Sequence, residues 1–383
     1  MITQAELQML AGIDAGEARI LSVQLDLSPV RQIQRDDIVA FDDLVRRTKA
    51  TLDDDRNVTL SREAKRVRTF LSSEPPSGLG LVIYSCRPIG LWRVYRLPTP
   101  VADDMSFSRY PRIRPLVDLV DENERMVIAL VDSESARVLA LTQVRIEDSW
   151  SRKTLVPGRH QQGGWSQANF QRHHDHVVDE HLRSVIEELT EFNRREPFTR
   201  LFVAGPDEPL NRFLHLMPDE LRRRVAARVP GEMFQSDAEL IRASIDAAHN
   251  AERNDELRLV QDLLETASNG GRAIGGRDAV LHELLKGSIE QLTVADGLHA
   301  DGSICRVCGR LVAVSYNCCP ACGGDLAPFD DIIDEAIRRT LESGGSVEIV
   351  HGPAADALLT ESGGIAARLR YRSTTLSGVT SGR

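Results

Sequence analysis

Two pairs of cysteines near the end of the chain restrict its local fold more than any other feature. Cys305 and Cys308 form one Cys-x-x-Cys pair, and Cys319 and Cys322 form a second. A glycine follows each pair, which lets backbone N–H groups turn toward the sulfur atoms. Two such knuckles can hold four thiolates around one Zn²⁺ ion in a small ribbon. Because the protein supplies all four ligands, no position stays open for water, and the sequence predicts a structural rather than a catalytic zinc.

Two alternatives bear on this cysteine cluster. A redox pair is the competing interpretation, but a redox pair needs no second pair. Cys318 could replace Cys319, although the spacing from Cys319 to Cys322 gives the better knuckle. Cys86 lies far from the others and is predicted to be a buried core residue. The clustering differs from a disulfide framework spread over a small secreted domain.

Length and composition describe a globular chain of more than one domain. A chain of 383 residues is too long for one ordinary core, so two or three domains are expected. No apolar run approaches the ~20 residues that cross a bilayer, and no signal peptide is visible at the start. We therefore expect a cytoplasmic protein without a membrane partner. The net charge of -10 argues against general coating of nucleic acid, but it allows local basic patches.

The pattern of apolar residues predicts a mixed α/β fold in three domains. An N-terminal α/β domain is expected over 1–111, a central α/β domain over 112–271 and a C-terminal α/β domain over 272–372. The zinc ribbon, 303–325, is inserted in the last of these, and a disordered tail follows over 373–383. In the central domain the predicted strands are Arg125–Val131, Ala136–Val144 and 201–206, and the predicted helices are Gln167–Arg195, Leu210–Leu216, Glu220–Arg228 and Asp237–Ser268.

The stretch 161–172 reads as a loop that runs directly into a helix. Gly163 and Gly164 remove Cβ at two successive positions, so the backbone can approach a ligand closely. Ser166 precedes the helical periodicity, where an N-cap is expected. The wider segment 151–174 contains four Arg or Lys residues and no acid before Asp175. Such a window suits contact with RNA phosphates, although a basic Gly-Gly loop is often only solvated.

Seven residues around this loop are the candidate RNA contacts. Trp165 could stack on a base or pack the loop against its own domain, and the sequence leaves both open. The neighbouring histidines and acids of 173–181 lack the spacing of a metal site, so a solvated polar helix face with imidazoles near the loop is expected there. The candidate RNA contacts are Arg152, Lys153, Arg159, His160, Trp165, Gln171 and Arg172.

The loop resembles a family motif. Gly163-Gly164-x-x-Gln167 is similar to the Gly-Gly-Gln loop of the archaeal and eukaryotic class-one peptide chain release factor superfamily. It is closer to the Gly-x-x-Gln form found in the Vms-type release factors of ribosome quality control and their bacterial relatives. The two residues between glycine and glutamine are then Trp165 and Ser166. The resemblance implies that Gly163, Gly164, Ser166 and Gln167 form the catalytic loop.

The resemblance extends to the C-terminal domain and stops short of the first domain. The cysteine ribbon and the closing segment 363–371 resemble the ribosomal-protein-like C-terminal domain of release factors. The superfamily reads stop codons through an Asn-Ile-Lys-Ser motif in its N-terminal domain, and this sequence lacks that motif. We therefore expect a degenerate N-terminal domain and no stop-codon decoding.

The resemblance implies a partner set and a reaction. The expected partners are the ribosomal A site, peptidyl-tRNA and rRNA, with a translational GTPase left open. The expected activity is hydrolysis of the peptidyl-tRNA ester during ribosome rescue or quality control. The alternatives are a non-catalytic hibernation factor that occupies the A site, a nuclease that cuts the tRNA near its 3′ end, and a free-standing RNA-binding protein.

Overall fold

The computed structural model describes residues 2–34, 36–122, 125–142, 145–155, 167–313 and 316–372. By their contacts, Met1–Asp121 and Glu256–Arg383 form one unit, and Glu122–Asp255 form a second. The division into three domains that the sequence suggests stays a prediction. None of the helices in the described ranges is both long enough and apolar enough to span a membrane.

The N-terminal part of the first unit is an antiparallel sheet with helices against it. Its four strands lie in the order β3-β2-β1-β4. Side chains alternate along β2, so Leu81 and Ile83 pack with α3 and α4, while Val82 and Tyr84 join a second cluster. Cys86 is fully buried, as predicted. The elements are α1 (Gln4–Ala11), β1 (Ile20–Asp26), α2 (Pro29–Gln34), α3 (Asp36–Lys49), α4 (Asp54–Ser73), β2 (Gly80–Cys86), β3 (Leu91–Leu97) and β4 (Asp104–Ser108).

The second unit is built on a five-stranded mixed sheet in the order β7-β6-β5-β8-β9. Strands β5, β8 and β9 are parallel, and β6 and β7 are antiparallel to their neighbours. Helices α6 and α7 cover one face and the first part of α9 covers the other. The elements are β5 (Met126–Val131), β6 (Ser135–Thr142), β7 (Arg145–Lys153), α6 (Gln167–Arg195), β8 (Arg200–Ala204), α7 (Asp207–Leu216), α8 (Asp219–Arg222), β9 (Val225–Val229) and the first part of α9 (Asp237–Ser268). Helix α5 (Arg114–Glu122), which precedes β5, and the part of α9 from Glu256 onward pack with the first unit.

Two sequence predictions for this sheet were wrong. Residues 145–153, expected to belong to the basic loop, form strand β7, because they pair with β6 along the sheet edge with one register shift at Glu147. The helix predicted over Glu220–Arg228 ends at Arg222, and Val225–Val229 pairs in parallel with β8 instead. In both cases strand pairing across the sheet outweighs the local pattern. The predicted helices Gln167–Arg195 and Asp237–Ser268 are confirmed.

The C-terminal part of the first unit holds two further sheets. One has the order β10-β16-β11-β15 and the other, the cysteine ribbon, has the order β13-β12-β14. Helices α10, α11 and α12 pack on the larger sheet, in a cluster shared with α1, β2 and β3. The elements are β10 (Ala273–Gly275), α10 (Arg277–Leu285), β11 (Ile289–Ala295), β12 (Gly302–Cys305), β13 (Leu311–Val312), β14 (Leu326–Phe329), α11 (Ile332–Glu342), β15 (Ser346–Val350), α12 (Gly352–Ser362) and β16 (Ile365–Leu369).

A buried arginine joins the two parts of the first unit. Arg338 on α11 donates two hydrogen bonds of 2.8 Å to the carboxylate of Glu335 and one of 2.9 Å to the backbone oxygen of Ala11. Its guanidinium lies 3.9 Å from the ring centroid of Tyr110. Burial alone would lower the pKa of Arg338, but the bonds to Glu335 outweigh it and raise the pKa. The N-terminal and C-terminal parts are therefore bonded as well as packed together.

Candidate functional site

The four predicted metal ligands lie together in the ribbon. The Sγ atoms of Cys305, Cys308, Cys319 and Cys322 all lie within 4.8 Å of one another. Two of these separations are 3.5 Å, from Cys305 to Cys322, and 3.6 Å, from Cys308 to Cys319. A tetrahedral thiolate site with metal–sulfur bonds of ~2.3 Å has edges of roughly 3.8 Å, so the donor set fits a metal ion. Cys318 is exposed and lies outside this group.

The knuckle geometry explains why glycine follows each pair. Gly309 and Gly323 adopt φ of 72° and 73°, the left-handed region that glycine enters without steric cost. The turns direct the N–H groups of Val307 and Cys308 toward Cys305 Sγ, at 3.4 and 3.5 Å. These features are the ones that the sequence predicts for a knuckle.

The thiols of the ribbon have divergent proton affinities. The N–H groups of Cys308 and Val307 lower the pKa of Cys305 to about 6. The N–H of Gly324 favours the thiolate of Cys322, but the adjacent thiols of Cys305 and Cys308 outweigh it and raise the pKa of Cys322 to about 12. Four thiolates this close repel one another unless a cation is present. Binding of a divalent metal would therefore release protons.

The predicted catalytic loop connects β7 to α6. Gly163, Gly164 and Ser166 lie outside the described residues, and Gln167 is the first residue of α6. Trp165, Arg159 and His160 also fall outside the described ranges. Arg152 and Lys153 are exposed at the end of β7, and Arg172 is exposed in the second turn of α6. Gln171 lies on α6 between Gln167 and Arg172.

Topology fixes the edge of the sheet where this connection starts. Lys153 pairs with Ser135, the first residue of β6, which follows the carboxyl end of β5. The parallel strands β8 and β9 end at the same edge. Ligands of sheets with parallel strands usually bind outside these carboxyl ends. The edge is tightly packed, because a Cβ on Gly205 would lie 1.9 Å from the carbonyl oxygen of Val131.

A buried histidine on α6 contacts the residue that directly follows β7, at the start of the segment that leads to the predicted catalytic loop. The Thr154 hydroxyl and His181 Nδ1 lie 2.9 Å apart, and the Thr154 N–H donates to the Glu134 carbonyl at 2.6 Å. His181 is 1 % exposed, and its Nε2 has no hydrogen-bond partner among the described residues. Burial lowers the pKa of His181, so the ring is neutral at pH 7. The sequence prediction of a solvated face was wrong for this residue, because position 181 faces the sheet.

The other polar residues of this helix do not form a second metal cluster. Within the described parts of the chain, the cysteines are the group whose donor atoms lie close enough to share an ion. Asp179 accepts a 2.5 Å hydrogen bond from Arg212. His176 lies 3.4 Å from Glu180, and both are exposed.

The chain is similar to known proteins over part of its length. The family model described as Bacterial archaeo-eukaryotic release factor family 10 matches residues 111–251. Peptide chain release factor subunit 1 of Methanopyrus kandleri is 29 % identical over 219 residues, which are 55 % of this chain and 50 % of that factor. The same factor of Methanobrevibacter smithii is 24 % identical over 283 residues, 68 % of each chain. The match thus spans half the length of the first relative.

Solved structures give looser matches. An archaeal translation termination factor, aRF1, is 18 % identical with a TM-score of 0.27, and the match covers 97 % of this chain and 99 % of the other. A chain from a model of ribosome-bound archaeal Pelota and ABCE1 is 15 % identical with a TM-score of 0.42, and the match covers 97 % of this chain and 94 % of the other. Matches this loose carry no argument about function.

Proposed function

We propose that this chain, a member of the archaeal–eukaryotic peptide chain release factor superfamily, is a ribosome-associated release or rescue factor that hydrolyses peptidyl-tRNA. The observation that carries the proposal is the extent of the family match. Its residues 111–251 contain the whole Gly163-Gly164-x-x-Gln167 segment together with β7 and α6 on either side. The two glycines and the glutamine of the motif therefore lie inside the part of the chain that matches the family model.

The position of the segment in the fold also supports the proposal. It leaves β7 at the edge where the parallel strands end, and it returns at the N-terminus of a 29-residue helix. A helix N-terminus presents free N–H groups and positive potential, which favour an anionic ligand. Exposed Arg152 and Lys153 stand at the start of the segment and add positive charge. Phosphates of a tRNA 3′ end fit this environment.

The proposed chemistry is orientation rather than proton transfer by the protein. The amide of Gln167 does not titrate in the useful range, so it is not a general base. It can orient a water whose oxygen attacks the carbonyl carbon of the ester, and it can stabilise the oxyanion that develops. The bond between the carbonyl carbon and the ribose oxygen then breaks. The ribose oxygen takes up a proton derived from the water, which leaves a tRNA with a free hydroxyl and a peptide with a free carboxylate. Gly163 and Gly164 let the backbone enter a crowded RNA pocket.

We assign the ribbon metal as structural zinc. Four thiolates at tetrahedral spacing form the donor set that Zn²⁺ takes in closed sites. Cys305, Cys308, Cys319 and Cys322 would hold it, and the ion would crosslink the two knuckles rather than take part in a reaction. The proposed partners are the ribosomal A site, peptidyl-tRNA and rRNA. Delivery by a translational GTPase is compatible with this set.

Single-turnover peptide release tests the function. Labelled peptidyl-tRNA in stalled ribosome complexes is mixed with wild type, Gln167→Ala or Gln162→Ala, and the recovered tRNA is run on a gel. Gln162 is an amide outside the motif and serves as the matched control. We expect release with intact tRNA from wild type and the control, and a loss of at least 100-fold in Gln167→Ala, the size of one lost oxyanion donor.

Three outcomes would redirect the assignment. Shortened tRNA would indicate a nuclease of the quality-control type. Ribosome binding without release from wild type would leave an A-site occupancy factor. Equal release by wild type and Gln167→Ala would show that the amide has no part in the reaction.

A further inference from the structure

One segment in the N-terminal part of the first unit is rich in positive charge, although aspartates flank it on both sides. Between Arg56 and Ala102 the sequence holds eight Arg or Lys residues and two acids, within a chain of net charge -10. Three of these cations have ion-pair partners: Arg56 with Asp53 at 3.4 Å, Arg68 with Asp42 at 2.9 Å and Arg96 with Glu74 at 3.6 Å. The remaining five have no carboxylate partner in the described part of the chain.

Four of the five form what we name the basic face: Arg62, Lys65, Arg66 and Arg87. The first three lie on α4 at spacings of three and four residues, so they project from one side of the helix. Arg87 belongs to the turn between β2 and β3, and its backbone N–H donates to Glu63 at 3.0 Å. Arg66 donates to the Leu91 carbonyl at 3.2 Å. These two bonds hold the turn beside α4 and bring Arg87 to the same surface.

The acid within the basic face does not neutralise it. Glu63 is 2 % exposed and accepts a 2.6 Å hydrogen bond from the Ser85 hydroxyl as well as the bond from Arg87 N–H. Its carboxylate therefore points into the fold. Arg62, Lys65 and Arg87 are exposed to solvent around it. The surface consists of cations, while the carboxylate between them is buried and hydrogen-bonded.

This arrangement costs helix stability and gains nothing from the helix dipole. Like charges three or four residues apart on a helix repel each other. The three cations lie in the middle of α4, away from the last turn where positive charge is favourable. One of them is also held in place, since the Arg66 guanidinium lies 4.3 Å from the Trp92 ring centroid. An orienting stack leaves most guanidinium donors available and reduces the entropy lost on binding.

We infer that the basic face is an RNA-docking surface that grips the phosphate backbone without reading sequence. Clustered cations with the acid withdrawn complement a polyanion, and Arg and Lys supply the multiple donors that phosphate oxygens accept. The choice of RNA over other polyanions rests on the proposed function, because a ribosome-bound factor meets RNA on every side. The basic face belongs to the first unit and Gln167 to the second, and RNA binding by the face needs no peptide release.

Binding of a labelled RNA hairpin to the full chain tests the inference by fluorescence anisotropy between 50 and 200 mM salt. The test variant is Arg62→Gln, Lys65→Gln, Arg87→Gln, which removes three exposed cations. The control variant, Arg56→Gln, Arg68→Gln, Arg96→Gln, removes the three ion-paired cations of the same segment and has the same net charge. Each phosphate contact contributes close to one unit of salt slope, so three lost contacts reduce the slope by about three.

The two variants should differ in how strongly salt weakens RNA binding. From 50 to 200 mM salt the affinity of wild type should fall by a factor roughly 60 times larger than that of the test variant, because a slope change of three acts on a fourfold change in salt. The control should keep a slope close to that of wild type. The test variant should melt at or above the wild-type temperature, since it relieves like-charge repulsion.

Several results would overturn the inference. Equal slopes in the test and control variants would mean that the binding reflects total charge rather than this face. Wild type that binds no hairpin at 50 mM salt would remove RNA as the ligand. Binding to phosphatidylserine vesicles with this dependence, and not to the hairpin, would assign the face to a lipid surface. None of these results depends on whether peptide release is observed.

Discussion

The buried arginine of the first unit gives the most quantitative prediction. Replacing Arg338 with Met removes both bonds to Glu335, the bond to the Ala11 carbonyl and a 2.8 Å bond to Glu342. Glu335 is 3 % exposed, so its carboxylate cannot turn to water. Removing one partner of a buried pair costs about 3–5 kcal/mol of unfolding free energy. Arg339 still donates to Glu335 at 2.7 Å, which puts the expected loss at the lower end, about 3 kcal/mol.

This loss corresponds to a measurable shift in melting temperature. Domains of roughly 150–250 residues lose about 2–4 °C per kcal/mol, so Arg338→Met should melt about 6–12 °C lower. Hydrogen exchange followed by mass spectrometry locates the effect. We expect protection to fall in peptides from α1 and α11, which lie in contact, and to stay unchanged in peptides from β5 and β8 of the second unit.

Two further variants complete the experiment. Adding Glu335→Leu to Arg338→Met should recover at least half of the loss, because an apolar pair avoids the buried unpaired carboxylate. Arg194→Met breaks an exposed pair with Glu191 and should leave the melting temperature unchanged. A single variant that melts within a degree or two of wild type would refute the reasoning. It would mean that desolvation of the Arg338–Glu335 pair cancels its attraction entirely.

Three other predictions follow from the second unit and the ribbon. Gly205→Ala should lower the free energy of unfolding by about 3 kcal/mol through steric overlap and backbone strain. Gly16 also has a positive φ, but nothing lies near its Cβ position, so Gly16→Ala should lower the free energy of unfolding by about 1 kcal/mol in the same urea titration. Burial lowers the pKa of His181 in the folded state, so its contribution to stability is complete above the unfolded pKa of about 6.5 and is lost as pH falls below that value. In His181→Gln the urea concentration at the unfolding midpoint should therefore change less between pH 7 and pH 5 than it does in wild type. The same pH dependence in both proteins would contradict the burial argument. Cys319→Ser should abolish metal retention measured by mass spectrometry and by cobalt absorption, whereas Cys318→Ser should retain the metal; equal loss in both would reject the four-cysteine site.

Sequence periodicity predicted the long helices well and the edge strands poorly. The apolar spacing in α6 and α9 continues over many turns, so both ends could be assigned from the sequence. Strand β7 is polar along most of its length and exists because β6 pairs with it. Strand β9 follows α8 closely and could not be separated from a helix by local pattern, since its pairing with β8 lies outside the local sequence.

The candidate sites show a similar division. Ligand identity and spacing in the ribbon are local, so the sequence predicted all four cysteines that the structure brings together. The burial of His181 and Glu63 depends on which helix face meets a sheet, and neither residue has a local signal for it. The basic face needs the same tertiary knowledge, because the sequence alone does not reveal that Glu63 points inward and Arg87 joins α4.

The bond from Arg338 to Ala11 also has a consequence for how the chain is made. Its two partners are 327 positions apart, and the cluster around them takes residues from both ends of the chain. The second unit, Glu122–Asp255, is complete in sequence between them. During synthesis the second unit can fold before α11 has been made, while the apolar side of β2 remains uncovered. The slow, long-range step in biogenesis is therefore closure of the first unit, and that interval is when nascent chains are most exposed to aggregation and to chaperones.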